Sequence, residues 1–322
     1  MRVAVLGCPA YGAKLYRTDP HAFYQGEKTL EAVREALESL GHEVEVVRAG
    51  PGMLQTLGEL GPDVVFNIAT GYSTKREQGH IAAMLEFLGV PFTGSGSLGH
   101  MLGLEKHLAK MVWLSRDVPT PRFDIVYTPE DVIKKDLRYP VIVKPSGEGS
   151  SVGITADSVR KSPEEALELA RDLLEVFEPP ILVEEYVEGR EFTVALLGYP
   201  EVRALPVEEI VFQEDRMFTY SVKTRDQVVP VCPADLPEDL ANRIQTVAIQ
   251  AFKALKCRDI GRVDIRLSRD GSPYVLEVNT LPGLQPGYSE VPRIAEKAGM
   301  DYRELVAEIL DCAIKRRGER RC

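Results

Sequence analysis

Apolar and polar positions alternate along residues 261–279 in a way that predicts a β-hairpin. Its two strand-like runs are joined by Asp270-Gly271, the dipeptide most typical of a tight two-residue turn. Centred on that turn, the register pairs polar residues on one face: Asp264 with Glu277, and Arg262 with Asn279. The other face is predicted to lie in the core: Val263, Ile265, Leu276 and Val278.

The polar face of this hairpin predicts a cation. Two carboxylates side by side across a strand pair repel each other, so a compensating positive charge is expected. Mg²⁺ suits the position, because it prefers hard oxygen ligands and is often held by one or two carboxylates together with substrate phosphates. The alternative is a solvated polar face on which Arg262 pairs with the acids.

A glycine- and serine-rich loop predicts a phosphate contact. In residues 139–154 a β-branched strand ends at Lys144 and opens into the loop, and a further strand is expected at Val152 and Ile154. Glycines let backbone N–H groups approach phosphate oxygens, and Ser150 and Ser151 add hydroxyl donors. The lysine precedes the glycines, so neither the Walker motif nor the dinucleotide fingerprint applies. A plain hairpin connection is the alternative, but beside an acidic hairpin the loop favours an Mg-nucleotide held between two sheets.

The remaining periodicity predicts an α/β opening followed by mixed α+β structure. Strand-like VAVLG, a helix with Leu30, Val33 and Leu37 on one face, and strand-like EVEVV form a βαβ unit, and DVVFN adds a buried strand. Further helices are expected around LEKHLAKMVWLSR, after Pro163, from Pro237 to Leu255, and twice near the end of the chain.

Motifs spread over nearly the whole chain resemble the ATP-grasp superfamily and, within it, the D-alanine–D-alanine ligase family. They are GVPFTGSGSLGHMLGLEKHLAK, VIVKPSGEGSSVGI, ILVEEYVEGREFTVALLG and GRVDIRLSRDGSPYVLEVNTLPG. The resemblance implies an α/β (α+β) fold of three lobes. A doubly wound parallel sheet spans residues 1–92, and two α+β ATP-grasp lobes, 93–190 and 191–322, sandwich ATP between them.

The same resemblance implies a nucleotide site. Lys106 and Lys144 match the two lysines that contact the ATP phosphates, and Ser150 matches the loop serine near the transferred phosphate, with Ser151 beside it. Lys223 matches the lysine of the flexible loop, and it and Ser150 are candidates for both nucleotide binding and catalysis. The linker between the ATP-grasp lobes supplies the adenine and ribose contacts: Glu184, Glu185, Val187 and Glu191.

A catalytic site is implied as well. Asp264, Glu277 and Asn279 would hold two Mg²⁺ ions, for which Mn²⁺ could substitute. Arg262 and the backbone N–H of Gly283 would stabilise an acyl phosphate and the tetrahedral oxyanion formed when an amine attacks it. The activity implied is that of an ATP-dependent carboxylate-amine ligase.

The chain departs from the family where the amino acids are chosen. Tyr24 replaces the donor-binding glutamate, and Glu27, three residues along the same helix face, is the nearest acid. Thr224 replaces the tyrosine after Lys223. Ser289 is kept at the acceptor, but Glu290 stands where a leucine is usual. The alternatives are therefore a ligase for another amino acid or amine pair, or a nucleotide-binding protein without catalysis.

Composition and charge argue against nucleic acid and membrane as partners, while small-molecule amino-acid substrates are implied by the resemblance. A net charge of −10 in 322 residues argues against nucleic acid as a main partner. The basic tail KRRGERRC is expected to be solvated charge at a helix end. No membrane span or leader is apparent, and five cysteines without metal-type spacing indicate reduced thiols, so a cytoplasmic location is expected. The resemblance further implies a homodimer formed through the first lobe.

Overall fold

The computed structural model describes residues 1–8, 20–72, 77–134, 136–148, 153–212 and 228–319, but not the side chains of residues 20–25, 156, 228, 318 and 319. Ser150, Ser151, Val152, Lys223, Thr224 and the side chain of Tyr24 therefore lie outside the described part. Within it, no helix is long and apolar enough to cross a membrane.

The first sheet is parallel and has helices on both faces, as the opening βαβ pattern predicts. Its strands, in the order β2-β1-β3, are β1 (Arg2–Gly7), β2 (Glu43–Arg48) and β3 (Val64–Asn67). Around them lie α1 (Pro20–Ser39), α2 (Met53–Leu60), α3 (Glu77–Leu88) and the last helix of the chain. Val3 and Val5 pack towards α1 and the last helix, whereas Ala4 and Leu6 pack towards α2 and α3. Because both faces are covered, β1 is a continuous apolar run.

A pair of short helices leads from this sheet to the next. They are α4 (Ser97–Leu104) and α5 (Lys106–Leu114). The single helix expected over LEKHLAKMVWLSR is interrupted at Glu105, whose backbone is extended, so α5 begins at Lys106. The fully buried Trp113 of α5 donates its indole N–H to the carbonyl of Ala251 at 3.1 Å, which ties α5 to the C-terminal part of the chain.

The second sheet is antiparallel, in the order β4-β7-β5-β6, and packs on one helix. Its elements are β4 (Phe123–Val126), β5 (Val141–Pro145), β6 (Val159–Arg160), α6 (Pro163–Leu174) and β7 (Ile181–Glu185). The strand expected at Val152 and Ile154 is wrong for Ile154, which is irregular. The returning strand is β6, after a turn of 3₁₀-helix whose N-cap Thr155 accepts from the N–H of Asp157.

The third sheet has the order β11-β10-β8-β12-β13, with β9 paired to β8. Its strands are β8 (Gly189–Gly198), β9 (Arg203–Ala204), β10 (Glu208–Phe212), β11 (Val228–Val231), β12 (Asp259–Ser268) and β13 (Pro273–Asn279). One face packs on α7 (Glu238–Ala254), where Phe252 lies so close to Gly261 that a Cβ there would fall 2.3 Å from its ring. The other face carries the polar residues of the hairpin: Arg262, Asp264, Glu277 and Asn279.

Two helices close the chain, α8 (Glu290–Lys297) and α9 (Tyr302–Glu319). The basic tail differs from expectation at Arg316, which is buried, pairs with the buried Asp259 and donates to the carbonyl of Phe92 at 2.6 Å. A buried carboxylate needs a paired cation, so Arg316 serves as a link between α9, β12 and the first sheet.

Candidate active site

The predicted register of the β12-β13 hairpin is confirmed over its polar residues: Arg262 lies opposite Asn279, and Asp264 opposite Glu277. The turn itself differs from the prediction. Ser268 pairs with Ser272, and Gly271 (φ 80°) donates its N–H to the carbonyl of Ser268 at 2.9 Å, so the loop has three residues.

A β-bulge compensates for the longer turn. The register shifts between Asp264 and Ile265, so that Ile265 pairs with Val275 and Leu276 has no direct partner. The prediction that Leu276 lies in the core is therefore wrong, because Val275 takes that place and Leu276 is only half-buried. The bulge restores the register, so that Asp264 and Glu277 lie directly opposite each other.

Arg262 is the central cation of the polar face. It holds Asp264 through two hydrogen bonds, from Nε to Oδ1 at 2.9 Å and from Nη2 to Oδ2 at 2.8 Å, and it donates to Glu290 at 3.0 Å. Thr193 of the neighbouring β8 donates to the same Asp264 at 2.7 Å. Burial raises the pKa of Asp264, while Arg262 opposes the rise. The pairing that the alternative interpretation of this hairpin expected is thus present.

Lys106 joins the acidic hairpin to the loop after β5. Its Nζ lies 3.2 Å from Glu277 Oε2 and also donates to the backbone carbonyl of Glu148, where the Gly/Ser loop begins. Burial opposes ionisation of Glu277, but Lys106, Arg262 and Lys144 hold its pKa at about 2. The carboxylate is therefore anionic at neutral pH and faces several cations.

The hairpin acids suit a metal that takes part of its coordination from a ligand. Asn279 Nδ2 lies 2.9 Å from Asp264 Oδ2 and 3.5 Å from Glu277 Oε1, so the three side chains meet at one point. The described residues contain no group of three or more His, Cys, Asp or Glu placed to hold a metal. Two carboxylates and an amide fit Mg²⁺, whose remaining ligands are commonly water and phosphate oxygens.

A buried carboxylate lies between two lysines, one of which is on β5. Glu184 accepts from Lys144 at 2.6 Å and lies 2.6 Å from Lys110 Nζ, which also donates to Thr120 at 2.6 Å. Burial would raise the pKa of Glu184, but the two lysines lower it, whereas burial lowers the pKa of Lys110 to about 8. Lys110 was missed from the sequence, although it lies four residues after Lys106 and thus on the same helix face.

The linker between β7 and β8 is held by Arg266. This arginine donates to Glu191 Oε2 at 2.6 Å, to the hydroxyl of Tyr186 at 2.9 Å and to the carbonyl of Val187 at 3.1 Å. Burial raises the pKa of Glu191 to about 7, with Asp264 and Glu277 adding to the rise and Arg266 opposing it. Arg266 was also missed, yet strand alternation places it on the face of Arg262.

Glu185 has a different environment from the other linker acids. It accepts from the backbone N–H of Arg138 at 2.9 Å, and its own N–H donates to the carbonyl of Arg122 at 2.8 Å. These contacts fix the end of β7 against the preceding loop.

The predicted acceptor residues meet at the start of α8. A Cβ on Gly283 would lie 2.6 Å from Ser289 Oγ, so a larger residue there would displace this hydroxyl, which accepts from the N–H of Gln285 at 3.1 Å. Glu290 reaches Arg262, and one turn later Arg293 holds the fully buried Glu208 of β10 at 2.7 and 2.8 Å. Two ion pairs therefore fix α8 on the sheet, and α8 supplies the acid of one pair and the arginine of the other.

At the predicted donor site, Glu27 is paired. Both of its oxygens accept from Arg48, at 2.6 and 2.8 Å, and Arg48 donates to the carbonyl of Cys8 at 3.0 Å. An amino group bound by Glu27 would share this carboxylate with Arg48.

His100 supports the end of β13 from behind. It is fully buried in α4, and its Nδ1 lies 2.7 Å from the hydroxyl of Thr280, the residue after Asn279. Burial lowers the pKa of His100 to about 4, with Arg258 adding to the effect and Glu86 opposing it. The imidazole is thus neutral at pH 7. No sequence pattern singled it out, because its partner is far away in the chain.

Comparison with known proteins identifies the family. Residues 117–311 match the family described as "D-ala D-ala ligase C-terminus". The D-alanine–D-alanine ligase of Bordetella avium is 39% identical over 90% of both chains, and that of Cupriavidus metallidurans is 36% identical over 87% of this chain and 85% of its own. The chain belongs to the D-alanine–D-alanine ligase family. It is therefore an ATP-grasp ligase of that family.

Two further similar proteins were found, one through its solved structure and one through its sequence. The crystal structure of the Bacillus anthracis D-alanine–D-alanine ligase complexed with ATP superposes with a TM-score of 0.79 over 99% of both chains at 23% identity, which confirms the three-sheet fold. An uncharacterised protein of Sinorhizobium fredii, y4sG, is 36% identical over 98% of both chains. This relative has no assigned substrate.

The neutral, buried state of His100 predicts an acid sensitivity. As the pH falls below 6.5, the unfolded chain protonates His100, whereas the folded protein does so only near 4. Stability is therefore lost as the pH falls through this window, by about 2–3 kcal/mol at pH 4.5. In His100→Gln the loss of unfolding free energy between pH 7 and 4.5, measured by urea denaturation, should be smaller by about that amount. The matched control is His80→Gln at an exposed position on α3, and curves that stay parallel for wild type and His100→Gln would contradict the assignment.

Proposed function

We propose that this protein is an ATP-dependent carboxylate-amine ligase that joins two amino acids through an acyl phosphate. The observation that carries the proposal is the position of Lys106. Its ammonium contacts both the start of the Gly/Ser loop, at Glu148, and the acidic hairpin, at Glu277. A loop suited to phosphate and a face suited to Mg²⁺ thus lie within reach of one side chain, as phosphoryl transfer requires.

The cations and acids between the hairpin and β5 border one cleft and have complementary roles: Lys106, Lys144, Arg262, Asp264 and Glu277. Lys106 and Lys144 would neutralise phosphate oxygens, while Asp264, Glu277 and Asn279 would hold two Mg²⁺ ions, or Mn²⁺ in their place. Bound Mg²⁺ would supply positive charge at the phosphate oxygens during transfer. Each of the two lysines has a carboxylate partner, Glu277 for Lys106 and Glu184 for Lys144, so binding of the triphosphate would exchange one anion for another.

The nucleotide would lie along the linker. Glu184, Glu185 and Val187 would face the adenine, and Glu191 the ribose hydroxyls. The distances from Arg266 to Val187 and Glu191 support this placement, because they fix both groups on the cleft side of β12. Ser150, Ser151 and Lys223 would complete the phosphate contacts, and they stay predictions because they lie outside the described residues.

The chemistry would proceed in two transfers. A substrate carboxylate oxygen attacks the γ-phosphorus of ATP, and ADP leaves. The amine of the second substrate then attacks the acyl carbon, inorganic phosphate leaves, and the amine loses a proton. Arg262 and the N–H of Gly283 would stabilise the tetrahedral oxyanion, which exists after the amine has attacked and before phosphate leaves. No side-chain nucleophile is needed.

The direct test is a screen of amino acid pairs with ATP and Mg²⁺ that records phosphate release and product mass. We expect one pair to require both components and to give a condensed product. In Glu277→Gln that rate should fall on the order of a hundredfold or more, because a charge-stabilising group is lost while size is kept. The matched control is Glu168→Gln, on the exposed face of α6, which should keep the wild-type rate. A Glu277→Gln enzyme of near-normal rate would show that the hairpin face is structural.

The ion pair of Glu290 favours a ligase with a changed acceptor over one that makes D-alanyl-D-alanine. Arg262 is shared between Asp264 and Glu290, so an acceptor carboxylate brought to Ser289 would meet two acids and one cation. An acceptor with a neutral or positive group at that point would avoid this repulsion. A silent nucleotide-binding protein is less well supported, because the predicted metal-binding side chains and Arg262 are assembled at one place.

Substitution of Glu290 tests the choice of acceptor. Like charges a few ångströms apart at partly exposed positions cost roughly 1–4 kcal/mol, so Glu290→Leu should raise kcat/KM for D-alanine as acceptor by about tenfold or more. The same change should lower kcat/KM for the natural acceptor. Glu296→Leu, at an exposed acid on the same helix, is the control. An unchanged ratio of the two kcat/KM values in Glu290→Leu would remove Glu290 from acceptor selection.

Donor recognition by Tyr24 and Glu27, the domain limits at residues 92 and 190, a homodimer and a cytoplasmic location stay predictions. The contact of Glu27 with Arg48 supports a donor site at the end of β2, since it places a carboxylate and a guanidinium together there.

A further inference from the structure

We propose that Arg266 is a positioning residue for the nucleotide, which holds Glu191 in the orientation that receives the ribose hydroxyls. The inference rests on the proposed function, since it requires ATP to lie along the linker. Arg266 is not among the candidate site residues that were predicted from the sequence.

Three hydrogen bonds of Arg266 are directed at the segment of residues 186–191. Arg266 lies opposite Glu191 in the β8-β12 pair, and each of its guanidinium nitrogens has a partner there. Nη1 donates to Glu191 at 2.6 Å, Nη2 to the Tyr186 hydroxyl at 2.9 Å, and Nε to the Val187 carbonyl at 3.1 Å. The guanidinium carbon also lies 5.5 Å from the centre of the Tyr186 ring.

These contacts leave the guanidinium little freedom. Arg266 is 3% exposed, and the planar fork of an arginine fixes the directions of its donors. A glutamate held by such a fork has lost most of its rotamer freedom before the nucleotide arrives. The ordering cost of binding is lower as a result, and the carboxylate is aimed in advance.

The surrounding charges make the arginine necessary at this position. Glu191 is close enough to Asp264 and Glu277 for their charges to disfavour its own. Without Arg266, the buried carboxylate would lose the cation that is paired with it and the N–H donor that orients it, and it would turn away from the cleft. Turned away, it would be a poorer acceptor for ribose hydroxyls.

The test compares two nucleotides that differ only in the ribose hydroxyls. ATP and 2′,3′-dideoxyATP are titrated calorimetrically with Mg²⁺, without amino acids, into the full-length wild type, Arg266→Met and Arg269→Met. Wild type should prefer ATP by about tenfold or more, as expected when hydrogen bonds to a charged group are lost. In Arg266→Met the preference should shrink to about threefold or less, mainly through weaker ATP binding. Arg269 is an exposed arginine of the same hairpin that pairs with Glu188 at 2.8 Å, and its variant should keep the wild-type preference.

The outcomes separate the two proposals. A wild type that binds neither nucleotide overturns the proposed function, and this inference with it. A wild type that prefers ATP, with the same preference in Arg266→Met, overturns this inference alone. Since Arg266→Met can fail to fold, Arg266→Lys is measured in parallel. An ammonium cannot reach all three partners, so its preference for ATP should be intermediate, and a full wild-type preference would overturn the inference.

Discussion

Carboxylates removed from water must be matched by cations, and this requirement organises the cleft of the protein. Asp264 and Glu277 lie side by side across β12 and β13, where alone they would repel each other. Arg262 compensates the first and Lys106 the second. Because Arg262 comes from the hairpin and Lys106 from the start of α5, the charge balance also holds separate elements together.

This balance connects structure to chemistry. The lysines that would receive a triphosphate are paired with carboxylates, and removal of either partner would leave a buried charge uncompensated. A nucleotide that binds together with its metal would bring phosphate anions for the lysines and metal cations for the carboxylates, so the present ion pairs could exchange partners. Lys106 would turn to phosphate and Glu277 to metal. A triphosphate without metal would bring only negative charge towards the acids.

Local patterns predicted most helices and strands and the facing polar pairs of the hairpin, because alternation and periodicity depend on residues that are neighbours in the chain. Alternation along β12 and β13 gave the correct facing pairs, although the assumed two-residue turn was wrong. A three-residue loop and a bulge at Leu276 offset each other, and neither leaves a mark in the pattern of apolar residues. The βαβ opening and the helix near residues 237–255 followed from periodicity alone.

What the sequence did not predict depends on partners far away in the chain. Lys110 is significant because Glu184 lies beside it, and His100 because Thr280 does. Arg266 acquires its role from the linker that β8 places opposite it. Glu290 was expected to repel an acceptor, yet its partner Arg262 became apparent only when α8 was placed on the sheet. Such pairings arise from the packing of sheets and helices, which periodicity does not specify.

The most direct test of this charge balance is the metal dependence of nucleotide binding. A non-hydrolysable ATP analogue with a β,γ-imido bridge is titrated calorimetrically into the protein, once with excess Mg²⁺ and once with a chelator. The account predicts that affinity falls by about tenfold or more without Mg²⁺, because the triphosphate then faces Asp264 and Glu277 without an intervening cation. Equal affinity under both conditions would contradict it, since the acidic hairpin would then have no part in holding the nucleotide.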